Sequence, residues 1–186
     1  MELLETIKAF NGELYNLDYH EKRCGISNLD NYINPPIDGL YRCRLVYIGD
    51  EVLDISYHKY KKREINSLKL VYDDNIVYSK KSTNRENINK LFALRDFSDD
   101  IIIVKNNLLT DTSIANIAFF RDGVWYTPKL PLLKGTTRSR YIDNGFLKEI
   151  NIKPSEIYSF SKIALLNAMI NFDIIADKNI GEIIQC

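Results

Sequence analysis

The 186-residue chain is predicted to be an α+β protein in two lobes. Three observations predict it. Short stretches of strand character are punctuated by Asn11-Gly12, Gly49-Asp50, Asp73-Asp74 and Asn106-Asn107, residue pairs that favour tight turns. Two stretches, one through His20 and Arg23 and one over Arg85–Arg95, carry helical signals. The character of the chain changes between Ser79 and Ser98, after which strand follows strand, so the lobes are expected to join there.

Taken in order, Leu3–Phe10, a turn at Asn11-Gly12 and Glu13–Leu17 form a hairpin. Asp18 can cap a helix through His20, Arg23 and Ile26 that ends before Pro35-Pro36. Strands are expected at Leu40–Ile48, Val52–Tyr57, Ser67–Tyr72 and Asn75–Tyr78. Arg85–Arg95 places Ile88, Leu91 and Phe92 at helical spacing, with Thr83 or Asn84 as cap. Ile101–Val104, Leu108–Asp111, Asn116–Phe120 and Val124–Thr127 then read as a β meander. Lys134-Gly135-Thr136-Thr137 opens a short helix that Asn144-Gly145 closes. A strand at Phe146–Ile152, a helix near Ser155 and a strand at Ile163–Met169 follow.

Composition narrows the function. The charges balance to zero, which argues against nucleic acid and anionic membranes as partners. No apolar run approaches the roughly 20 residues that span a bilayer, and MELLETIKAFNGE lacks a signal-peptide core. Cys24, Cys43 and Cys186 are odd in number with no Cys-x-x-Cys, and there are two histidines, His20 and His58. A disulfide framework or metal centre is not expected, and a reducing cytoplasm is.

Three constellations could carry chemistry. Lys80-Lys81 stands where strand character runs out; such lysines are usually solvated. An adjacent ammonium lowers a lysine pKa, however, and a neutral amine attacks carbonyls. The pair alone does not choose between its members. Lys134-Gly135-Thr136-Thr137 reads either as an ordinary N-cap or as an anion cradle of free N–H groups, hydroxyls and helix dipole. Asp111, among Thr110, Thr112 and Ser113, reads first as a turn residue and alternatively as an anionic partner for a protonated heterocycle.

In this order the motifs resemble the fold-type IV (class IV) pyridoxal-phosphate (PLP) enzymes, which include branched-chain and D-amino acid aminotransferases and aminodeoxychorismate lyase. The resemblance rests on Leu4-Glu5-Thr6-Ile7-Lys8 with Asn11-Gly12, His20-Glu21-Lys22-Arg23 and Lys81-Ser82-Thr83-Asn84-Arg85. It continues through Thr110-Asp111, Ala115-Asn116-Ile117-Ala118-Phe119, Tyr126-Thr127-Pro128, Gly135-Thr136-Thr137-Arg138 and Asn167-Ala168. It implies a small N-terminal α/β lobe over residues 1–82, shortened relative to typical members, and a larger β-rich cofactor lobe over 83–186. It further implies a homodimer acting on a small molecule.

The resemblance selects Lys81 over Lys80 as the nucleophile for the cofactor aldehyde and as general base and acid for the Cα proton. It implies Arg23, Thr136, Thr137 and Asn167 as phosphate ligands and Asp111 opposite the pyridine nitrogen, one methylene shorter than the family's glutamate. Thr6 matches a substrate-side position where the lyase pattern has threonine. The activity implied is a lyase converting 4-amino-4-deoxychorismate to 4-aminobenzoate and pyruvate, a step towards folate. The alternatives are an aminotransferase on the same scaffold and a degenerate PLP binder without activity.

Overall fold

The computed structural model describes residues 1–177 and 180–185, so Cys186 lies outside the described residues. The chain divides into two compact units. One holds Met1–Lys62 with Lys80–Asn84, the other Arg63–Ser79 with Arg85–Cys186. The division therefore differs from the expected boundary at residue 82: residues 63–79 go with the second unit, because their strand pairs there.

The first unit is a four-stranded sheet ordered β2-β1-β3-β4, with β1 Leu3–Phe10, β2 Glu13–Leu14, β3 Leu40–Ile48 and β4 Glu51–Lys59. Asn11 and Gly12 take φ of 49° and 86°, the left-handed pair that a two-residue hairpin requires. Helix α1, Leu17–Cys24, covers one face. Its N-cap is Asn16 in the left-handed conformation rather than Asp18, and it stops at Gly25, earlier than expected. A 3-10 turn at Leu29–Asn31 continues the cover. Ile7, Cys43, Leu45 and Tyr47 on the sheet pack against Ile26, Leu29 and Ile33.

The second unit holds a nine-stranded sheet. β5 Leu68–Tyr72 runs parallel to β6 Asp100–Lys105, joined by helix α2, Glu86–Ala93. The expected α2 begins at Glu86 with Arg85, not Thr83 or Asn84, as N-cap. The expected strand at Asn75–Tyr78 does not form; that stretch is turn and coil. β7 Leu108–Thr112, β8 Asn116–Arg121 and β9 Val124–Pro128 complete the antiparallel meander. Helix α3, Thr136–Asp143, then crosses to β10 Leu147–Ile150, parallel to β9. The helix expected near Ser155 is a 3-10 segment, Pro154–Ser159. β11 Lys162–Asn167 pairs with β8 and with β12 Asn171–Ala176, a strand not anticipated. A turn of helix, Ile180–Ile183, leads to β13 Ile184–Gln185 beside β5.

Both faces of this sheet are covered, which explains why Ile101–Val104 is apolar without alternation. Ile102, Val104, Ile117 and Phe119 join the core containing Ile157 and Phe160. Ile101 and Ile103 meet Ile88 and Leu91 of α2, while Ala118 and Ala164 lie with Tyr141 of α3.

Candidate functional site

In the first unit the expected residues gather around β1. Its inward phase is Glu5, Ile7 and Ala9, so a carboxylate stands where alternation calls for an apolar side chain. Glu5 is fully buried. His20 and Arg23, three apart on α1, both reach it. His20 Nδ1 lies 2.5 Å from Glu5 Oε2, Arg23 Nε donates to Oε1 at 2.8 Å, and Arg23 Nη2 donates to Oε2. Burial alone would raise the Glu5 carboxyl, but the hydrogen bonds from His20 and Arg23 and the guanidinium charge hold it below its ordinary value. Arg23 keeps 19 % of its side chain exposed. Thr6, next on β1, points to the other face and pairs in register with Arg44 of β3.

Lys81 reaches this strand through the backbone. Its carbonyl accepts from Leu4 N at 2.8 Å, Thr83 N donates to Glu2 O at 3.2 Å, and Ser82 forms a bridge with Leu3. Lys81 is half-buried and Lys80 exposed, so the two lysines differ in environment.

In the second unit Asp111 and Asn116 stand opposite each other where β7 meets β8. Asn116 Nδ2 donates to Asp111 Oδ1 at 2.6 Å and to Leu133 O at 2.8 Å, while Leu133 N donates to Asp111 Oδ2 at 2.9 Å. Both oxygens of Asp111, expected to face a ring nitrogen, thus accept from the protein. Burial pushes its carboxyl up to about 6, against the lowering effect of the Leu133 and Asn116 hydrogen bonds and the Arg138 charge.

Gly135 follows as N-cap of α3. Its φ of −69° suits any residue. The constraint is space: a Cβ there would lie 2.0 Å from Asn116 Oδ1. With no side chain at the cap, the first-turn N–H groups of α3 have no side-chain acceptor. Thr136 and Thr137 are buried, and among the described residues neither hydroxyl has a hydrogen-bond partner. Arg138, also buried, donates from Nη2 to Pro128 O at 2.8 Å and to Glu149 Oε1 at 2.5 Å, fixing this end of α3 to β9 and β10. Asn167 Oδ1 accepts from Met169 N and Ile170 N, and Nδ2 donates to Ile114 O at 3.4 Å. Its side chain ties the β11–β12 turn to the turn after Asp111.

This cradle fits a phosphate: the first-turn N–H groups, the Thr136 and Thr137 hydroxyls and the positive helix end stand together at the start of α3. The sequence reading assigned no role to Glu5, Asn116 or Arg138. The signal for Glu5 was its acidic character at an apolar phase, and for Asn116 its place across a short turn from Asp111.

The raised Asp111 carboxyl has a consequence for pH. A folded value of about 6 against an unfolded 3.8 means that the native state binds the proton more tightly. Stability from this group is full below pH 4 and is lost as pH rises through 6, by on the order of 3 kcal/mol. Urea unfolding is expected to show wild type losing about that much relative to Asp111→Asn between roughly pH 4 and 7. A constant difference would show that Asp111 titrates normally.

Comparison with known proteins agrees with this architecture. The sequence profile of the amino-transferase class IV family matches residues 54–175. The chain is 36% identical over 183 residues to an uncharacterized protein of Haemophilus influenzae, covering 90% of this chain and 97% of that one. A crystal structure of a protein from Haemophilus somnus, provisionally named a 4-amino-4-deoxychorismate lyase, superposes with a TM-score of 0.80 at 29% identity over 90% of this chain and 96% of that one. The fold is also that of a provisionally named aminotransferase from Mycobacterium tuberculosis solved in its PLP-bound form, with a TM-score of 0.74 at 15% identity over 94% and 80% of the two chains. With the profile covering well over half its length, the chain belongs to the amino-transferase class IV family.

Proposed function

We propose that this protein is a PLP-dependent lyase that converts 4-amino-4-deoxychorismate to 4-aminobenzoate and pyruvate. The observation that carries the cofactor assignment is the α3 N-terminus, where Thr136 and Thr137 present unpartnered hydroxyls beside uncapped N–H groups. The likeness to the Haemophilus somnus protein favours the lyase.

PLP, when bound, supplies an electrophilic aldehyde and a ring that accepts electron density. Thr136, Thr137 and the first-turn amides of α3 hold its phosphate, with Asn167 maintaining the adjoining turn. Arg23 adds a guanidinium oriented by Glu5. Lys81 would hold the cofactor through its Nζ, and with substrate present that Nζ would take the proton from the amine-bearing carbon. Loss of that proton supplies the electron pair that forms the aromatic ring as the C–O bond to the enolpyruvyl group breaks. The departing enolate takes up a proton and becomes pyruvate. Thr6, beside Glu5 on β1, is the substrate-side residue.

Incubation with aminodeoxychorismate and no keto acid is expected to yield 4-aminobenzoate and pyruvate in equal amounts, over many turnovers. The second reading is an aminotransferase, favoured by the fold shared with the Mycobacterium tuberculosis protein. It stands, and the lyase falls, if aminodeoxychorismate is inert while an amino acid converts bound PLP to pyridoxamine phosphate. A binder without activity would do neither. We further infer a symmetric homodimer in the cytoplasm; light scattering from a PLP-loaded monomer at micromolar protein would refute the dimer.

A further inference from the structure

We propose that Asp111 is a positioning residue for the phosphate cradle: together with Asn116 it clamps the Leu133 peptide, in place of the ring-nitrogen role that the resemblance implies. The inference rests on reading the α3 N-terminus as the phosphate site.

The geometry forms a closed loop. Leu133 N donates to Asp111 Oδ2, Leu133 O accepts from Asn116 Nδ2, and the same Asn116 amide donates to Asp111 Oδ1. One peptide group is thus held from both sides, two residues before the N-cap of α3. Asn116 Oδ1 occupies the space that a Cβ on Gly135 would need, so the clamp also seats the N-cap itself. Asp111 accepts at both oxygens and is buried, so it is committed to protein donors.

Side-chain length matters here. The aspartate carboxylate sits close to its own strand, level with Asn116 across the β7–β8 pair. A glutamate would place the carboxylate one methylene further from the strand than the position at which it meets Leu133 N and Asn116 Nδ2. Asparagine fails differently: one of its two terminal atoms is an NH2, which would face either the Asn116 NH2 or the Leu133 N–H. Asn116 cannot flip to accept it without losing its bond to Leu133 O.

The test compares binding of pyridoxal phosphate and pyridoxal, which differ only in the phosphate, to purified apoprotein. Wild type is expected to prefer the phosphorylated form. Asp111→Asn and Asp111→Glu are each expected to reduce that preference about tenfold, the scale of a lost hydrogen bond to a charged group, with pyridoxal affinity changed less than about twofold. A ring-nitrogen partner would behave differently: Asn would weaken both ligands alike, and Glu would keep or improve both. Either pattern, or a wild-type preference retained in both variants, overturns the proposal. Should both variants fail to fold, amide exchange on wild type decides. The Leu133 N–H is expected to be protected in the apoprotein, and fast exchange there overturns the clamp. A wild type that does not distinguish the two ligands overturns the phosphate reading and this inference together. A wild type that does, with lyase activity absent, leaves the clamp intact while the assigned reaction fails.

Discussion

Lys81→Ala is expected to abolish borohydride-dependent labelling by PLP and to reduce turnover by about 10²–10⁴-fold from loss of proton transfer alone. The expectation rests on position. Lys81 is half-buried on the edge of β1, whereas Lys80 is exposed. Lys80→Ala should therefore change turnover by less than about twofold, as surface substitutions do. Peptide mapping after reduction reports the site directly: label on Lys80, or label that survives in Lys81→Ala, would remove the nucleophile assignment.

The second large effect is on stability. Glu5→Ala is expected to cost about 3 kcal/mol, the low end for removing one partner of a buried charged pair. The low end applies because Arg23 is partly exposed and can turn to water. The pH dependence has a definite sign. The folded Glu5 carboxyl lies below its ordinary value of 4.5, so its contribution is present above pH 4.5 and is lost as pH falls through the folded value. Glu5→Gln should therefore flatten the acid limb of the unfolding curve. A urea midpoint unmoved by Glu5→Ala would mean that the carboxylate is not the hub of this cluster.

The fold was largely legible where turn chemistry and period agreed. Asn106-Asn107 and Asp122-Gly123 take the left-handed conformations that their hairpins require, and the strands on either side form as read. Asn75–Tyr78 misled because Ile76 is buried for another reason: it packs against the α2 face with Val71, Ile88 and Leu91, with no strand partner. β12 was missed because its phase is broken: Phe172, Ile174 and Ile175 do not alternate cleanly, and it forms through pairing with β11. For the site, the motif residues were visible but their couplings were not. That Asp111 answers to Leu133, and Gly135 to Asn116, depends on contacts across 22 and 19 positions, which no local pattern encodes.

The lysine-bearing segment also bears on how the protein is made. Lys80–Asn84 completes a unit whose other residues end at Lys62, and it covers the β1 edge at Leu3 and Leu4 that β2, paired only at Ala9 and Phe10, leaves open. On a ribosome adding roughly 5–20 residues per second, that edge stays uncovered for about 1–4 s after Lys62 is made. An open strand edge is a template for pairing with other chains. The nucleophile's own loop is thus the strip that shields a nascent edge, and a fragment ending at Lys62 would present that edge permanently.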